Sequence, residues 1–182
     1  MIKSWSFDCA TLWLHREPES ALSWADHVSA DEIARAATMG STTRAHTFLS
    51  ARAALRQHLS STLSINPTEI EIMIDTDGKP HLPSYSLHFS LSHSAGYILI
   101  GIAPIPLGVD IQTRDTAADI EAIAKRMFSA DQIAAVANAA DPRDMAFKIW
   151  CEKEATFKLG QPPRTTNIDT LDEGLTYAVC IA

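Results

Sequence analysis

The sequence predicts an α+β protein built as two closely joined halves, and three observations carry that prediction. Strand-like and helix-like apolar spacings are mixed along the chain. The composition, 46% apolar and 20% charged over 182 residues, suits a packed core. The pattern also starts afresh after the proline-containing break at Pro104 to Pro106, which places the halves at 1–104 and 105–182.

In the first half, ATLWLH (10–15) reads as a strand. SADE (29–32) has the spacing of a capping box and opens a helix to about Met39. From Thr42 to Leu63, Phe48, Leu49, Ala53, Leu55 and Leu59 recur at mostly helical spacing, with Arg44, Arg52 and Arg56 beside that stripe. EIEIMI (69–74), SLHFSL (86–91) and YILIGIA (97–103) read as strands, and DGKP (77–80) as a turn. A helix-flanked antiparallel sheet accounts for them. The second half begins with a strand at LGVDIQ (107–112), followed by helices near 117–127, 130–139 and 142–159. QPPRTTN (161–167) reads as a loop and LTYAVCIA (175–182) as the last strand. SADQ (129–132) repeats the earlier capping-box pattern, which permits two similar halves without establishing a repeat.

Charge and cysteine content narrow the function classes. A formal net charge of -7 leaves no basic footprint for nucleic acid, so any anionic ligand needs a locally basic site. Cys9, Cys151 and Cys180 are odd in number and far apart, which suggests buried free thiols rather than a disulfide framework or zinc site. The N-terminal residues carry Asp8 and no continuous apolar run, so neither a signal peptide nor a membrane span is expected. The expectation is a soluble cytoplasmic protein, with a monomer as the natural state of two fused halves.

Three stretches carry candidate chemistry. On the helix ending at Gly160, Trp150, Glu154 and Lys158 share a face, with Phe147, Cys151 and Ala155 on an adjoining apolar stripe. Glu154 and Lys158 have two readings at this point: a surface ion pair worth about 0.2–0.5 kcal/mol, or members of a reaction centre. In GVDIQ, Asp110 and Gln112 point away from Val109 and Ile111. Asp110 is either a turn or N-cap group at a strand end or, with Glu154, a ligand for a hard cation such as Mg²⁺, which favours oxygen donors and substrate phosphates. In FSLSHSAG (89–96), Ser92, His93 and Ser94 offer a phosphate cradle. A serine hydrolase is disfavoured there by the absence of a GxSxG elbow, and a structural histidine stays open.

Taken in order, DGKPHLP, FSLSHSAG, GVDIQ and IWCEKEATFK resemble the motif set of the Sfp-type 4'-phosphopantetheinyl transferases, over about Arg44 to Gly160. The resemblance implies two similar α+β halves related by a pseudo-two-fold axis, with the active site between them. It implies transfer of the phosphopantetheine arm of coenzyme A to a serine of an apo acyl or peptidyl carrier protein, releasing adenosine 3',5'-bisphosphate. By motif position, Asp110, Gln112 and Glu154 fall on the Mg²⁺ site, Lys158 on the pyrophosphate, and Ser92 and His93 on the phosphate end of the nucleotide. Lys79 and Arg44 or Arg52 fall on its 3'-phosphate and adenine end. Glu154 or a metal-bound water is the expected base. Gln112 stands where this family more often has Glu, so the site loses one negative charge. The alternative is a non-catalytic module that binds coenzyme A or a carrier protein through a decayed metal site.

Trp150 is assigned to packing, and Lys153 to contact with a phosphate or the carrier. Lys125, Arg126, Met127 and Phe128 form an expected mixed basic and apolar docking edge. Their other reading is a solvated helix end with favourable cations near its C-terminus.

Overall fold

Side-chain alternation along two antiparallel sheets sets the layers of the fold. The computed structural model describes residues 3–17, 26–114, 119–171 and 174–182. In chain order the elements are β1 (Lys3–Phe7), β2 (Ala10–Arg16), α1 (Ala30–Ala37), α2 (Thr42–Leu63), β3 (Met73–Ile74), β4 (Pro80–His81), β5 (His88–Ser94), β6 (Tyr97–Ala103) and β7 (Leu107–Thr113). They continue as α3 (Ile120–Met127), α4 (Ala130–Ala137), α5 (Pro142–Leu159), β8 (Thr165–Leu171) and β9 (Leu175–Ile181). The expected start of α3 at 117 and 118 lies outside the described residues.

The larger sheet has the order β1-β2-β6-β5 and the smaller one β7-β9-β8. Leu12 and Leu14 of β2 and Leu99 and Ala103 of β6 meet Val109 and Ile111 of β7 and Leu175, Tyr177 and Val179 of β9, so the two sheets pack face to face. The alternate residues face outward. Ile98, Ile100 and Ile102 bury against Ala51, Leu55 and Leu59 of α2, while Ala178 and Cys180 bury against Cys151, Ala155 and Leu159 of α5. The result is a helix, sheet, sheet, helix stack of α+β class.

The helix ends obey their capping chemistry. Ser29 and Ser129 each complete a capping box with Glu32 and Gln132. Asp141 caps α5 at a proline-started first turn, and Gly160 ends it in the left-handed conformation at φ 84°.

Two expectations are corrected, and one strand goes unforeseen. EIEIMI is not a six-residue strand, since only Met73 and Ile74 pair, with His81 and Pro80. Asn66 and Pro67 instead draw residues 67–69 into a 3-10 turn, and the Ile70 carbonyl accepts from Arg56 Nη1 at 2.8 Å in place of a strand partner. QPPRTTN is a loop only in its first part, because β8 begins at Thr165 opposite Ile181. KSWSF forms β1 along β2, a strand that the sequence pattern does not reveal.

The edge strands β5 and β7 meet through serine hydroxyls. Ser90 Oγ accepts from Val109 N at 3.0 Å and Ser94 Oγ from Thr113 N at 3.1 Å. Between them Ser92 Oγ donates to Asp110 Oδ1 at 2.7 Å. Ser90 and Ser94 therefore satisfy backbone groups that would otherwise be left at two sheet edges, and Ser92 between them serves a buried carboxylate.

Candidate active site

Gly108 allows the α5 backbone to approach β7 closely. A Cβ there would sit 1.9 Å from the Ala155 carbonyl oxygen and 2.6 Å from the Leu159 nitrogen. That approach brings the helix lysine to the strand carboxylate. Lys158 Nζ donates to Asp110 Oδ1 at 2.7 Å and to the Val109 carbonyl at 3.1 Å. Asp110 is 2% exposed, whereas the Lys158 side chain keeps 28% exposure, so the pair is buried at its acid end and reachable at its base end.

The carboxylate is held from three elements. Oδ1 accepts from Ser92 of β5 and Lys158 of α5, and Oδ2 accepts from Gln112 Nε2 of β7 at 2.9 Å. Behind it, the Cys151 thiol donates to the Thr176 carbonyl at 3.4 Å. Burial pushes this thiol well above its ordinary pKa, and the Asp110 carboxylate adds to the effect, so Cys151 stays protonated.

The reading of Glu154 and Lys158 as a surface pair is corrected, since the lysine bonds Asp110 instead. Among the described residues no ion pair engages Glu154, which is partly exposed. Its level follows from the helix course. Leu159 and Lys158 lie at Gly108 to Asp110, and Cys151 lies at Thr176, the register partner of Gln112. Glu154 falls between these levels and shares Lys158's side of the helix.

The donor set fits a hard divalent cation. Asp110 and Glu154 offer carboxylate oxygens, and Asp110 Oδ2 accepts from an uncharged donor, Gln112. Among the described residues no group of three His, Cys, Asp or Glu side chains could enclose a metal. Such an ion would therefore take its other ligands from water and phosphate, as magnesium commonly does. Gln112, expected as a ligand, turns its amide nitrogen to Asp110 because the carboxylate two residues away on the same strand face is a strong acceptor.

The remaining expected residues divide. Lys79 reaches across to the end of α5, donating to the Leu159 carbonyl at 3.4 Å, and burial lowers its pKa against a partial offset from Asp75. His93 is exposed and lies on the opposite face of β5 from the buried Ser92, so the two do not form one cradle. Arg44 is exposed in the first turn of α2. Arg52 is 7% exposed and shares Glu32 with Arg56, at 3.7 and 2.7 Å.

A cavity of about 410 Å³ lies between α1, α2 and residues 68–74. The guanidiniums of Arg35 and Arg52 each lie 5.4 Å from the Phe48 ring centroid, and Arg52 Nη1 is buried with no hydrogen-bond partner. Sequence reasoning missed Arg35 and Phe48 here. It also missed the hydroxyl seam, whose signal was visible as serines at every second position in FSLSHS. The expected docking edge is corrected at Phe128, which is buried against Phe147, while Lys125, Arg126 and Met127 are exposed. Trp150 packs against that same cluster, as expected.

Two face-to-face sheets between long helices, centred on a strand carboxylate and a helix lysine, define an α+β protein with a cation-balanced acidic centre. Residues 106–172 match the family model described as the 4'-phosphopantetheinyl transferase superfamily. The chain is 29% identical over 150 residues to the 4'-phosphopantetheinyl transferase HetI of Nostoc sp., covering 78% of this chain and 63% of that protein. It is 35% identical over 112 residues to the 4'-phosphopantetheinyl transferase psf-1 of Bacillus pumilus, covering 58% and 46%. With a 4'-phosphopantetheinyl transferase of Bacillus subtilis it shares 29% identity over 117 residues, covering 63% and 51%. These relatives and the family model agree on one likeness, to 4'-phosphopantetheinyl transferases. It spans about half to two thirds of the length of the curated relatives it matches. Among the described residues no helix is long and apolar enough to cross a membrane.

Proposed function

We propose that the chain transfers the 4'-phosphopantetheine moiety of coenzyme A to a serine of an apo acyl or peptidyl carrier protein, releasing adenosine 3',5'-bisphosphate. The observation that carries this reading is the partly exposed Lys158 ammonium on buried Asp110, one helical turn from an unpaired Glu154 among the described residues. A pyrophosphate needs positive charge beside it, and an attacking alcohol needs a proton acceptor.

In this reading Asp110 and Glu154 hold Mg²⁺, which when bound neutralises charge on the pyrophosphate. Lys158 orients the pyrophosphate and stabilises the departing phosphate oxygens. Glu154 takes the serine proton, directly or through a water, as the new oxygen–phosphorus bond forms and the bond to the adenylate-side oxygen breaks. Lys79 and the Arg35, Phe48 and Arg52 cavity serve the nucleotide end, with the Arg52 Nη1 donor free for an anion. Arg44 and His93 are exposed reserves for the same polyphosphate. The fold is read as two halves, 1–104 and 105–182, related by pseudo-two-fold symmetry, and the working protein as a cytoplasmic monomer.

The test is incubation with coenzyme A, Mg²⁺ and several apo carrier proteins, followed by intact mass. One phosphopantetheine per carrier, on the serine, is expected. Binding of coenzyme A without addition to any carrier refutes the transferase and leaves a binding module.

A further inference from the structure

Gln112 has a side chain long enough to reach solvent from a partly exposed strand position, yet its amide folds back along β7 to Asp110 Oδ2 at 2.9 Å. A carboxylate offers about four acceptor directions, two on each oxygen. Ser92 and Lys158 bond Oδ1, Gln112 bonds Oδ2, and the Cys151 thiol also faces the carboxylate, so the amide is one of four groups that hold it. Charge closes too. Asp110 and Lys158 cancel, and the amide adds a donor without adding charge.

We propose that Gln112 is a positioning residue, whose amide N–H holds the Asp110 carboxylate in its bonded geometry before any divalent cation arrives. The proposal rests on the functional reading above and changes what residue 112 does within it. A glutamate at this position would set two carboxylates about as close as the present 2.9 Å contact. Like charges so near cannot both remain ionised without a proton or a cation between them. In such a site the metal organises the acids. Here the protein organises Asp110 itself, and the cation joins a carboxylate already held.

The experiment compares thermal unfolding of the full chain with its Q112L and Q112E variants, in a chelator and then in saturating Mg²⁺. Both variants are expected to melt about 3–6 °C below the parent in chelator, Q112L because Oδ2 loses its donor and Q112E through repulsion. Mg²⁺ is expected to restore Q112E and to leave Q112L below the parent. The parent itself should shift less than Q112E. Equal melting of all three proteins in chelator overturns the proposal. So does a Q112L variant that matches the parent in chelator but loses the parent's Mg²⁺ shift, because the amide oxygen would then be a metal ligand. Neither coenzyme A nor carrier enters these curves, so failure of the transfer reaction and failure of this role are read separately.

Discussion

Replacing Gly108 with alanine tests whether the close approach of α5 to β7 builds the centre. The added Cβ would meet the Ala155 carbonyl oxygen at 1.9 Å, the Leu159 nitrogen at 2.6 Å and the Ala155 carbonyl carbon at 3.0 Å. All three are backbone atoms, so no rotamer change relieves the overlap. Bringing the oxygen out to 3.4 Å, an ordinary contact, requires a retreat of about 1.5 Å. Lys158 and Glu154 ride on the same helix and would withdraw with it from Asp110. A misplacement of about 1 Å can cost on the order of 100-fold in rate, and overpacking costs about 1–3 kcal/mol. G108A is therefore expected to lose roughly 100-fold or more in kcat for the proposed phosphopantetheine transfer, and about 2–12 °C in Tm at 2–4 °C per kcal/mol. G101A is the internal comparison. Its Cβ would meet only the side-chain ends of Leu107, Val109 and Leu12, at 2.8, 2.8 and 3.1 Å, which can adjust. It should cost stability while keeping kcat within about tenfold. A G108A protein with parental kcat would refute the argument that this backbone contact sets the distance between strand acid and helix base.

Ser92→Ala separates a structural hydroxyl from a phosphate-binding one. Loss of the 2.7 Å bond to buried Asp110 should lower stability by about 1–2 kcal/mol, read as a Tm decrease in ligand-free protein. An unchanged Tm with a raised KM for coenzyme A would instead assign the hydroxyl to the nucleotide. A pH dependence should arise on the α2 side of the larger sheet, where His15 Nε2 lies 2.7 Å from His58 Nε2. Burial holds His15 at about 4, below the ordinary 6.5, and lowers His58 as well. Between pH 4 and 6.5 the unfolded chain binds more protons at these sites, so stability rises with pH across that window and is lost on acidification. The Tm against pH should flatten in H15Q, and identical slopes for parent and variant would remove this pair as the cause.

Long periodic elements were legible because their periods report one buried face. The helices at 42–63 and 142–159 and the strands at 97–103 and 107–112 appear as expected, with shifts of a residue or so. β8 was not legible, since TTNIDTL is largely polar and becomes a strand by pairing along β9. EIEIMI had the alternation of a strand and lost it to the Asn66 and Pro67 turn and to a carbonyl captured by Arg56. At the centre, Asp110 and Lys158 were legible as partners in one site. The direct bond between them was not, because nearest-neighbour spacing on the helix pointed Lys158 at Glu154.

The sequence by itself determined the α+β class, the buried faces of the main elements and the acid, amide, serine and lysine that meet at the centre. Those follow from periodicity, capping and residue chemistry, which are local. Tertiary structure alone decided that Ser92 serves Asp110 while His93 faces away, that Gln112 offers nitrogen, and that Arg52 shares Glu32 with Arg56. A hydrogen bond depends on which groups share a few ångströms of space. Around Asp110 that is set by two sheet edges and a helix meeting through contacts 18 to 48 positions apart in the chain.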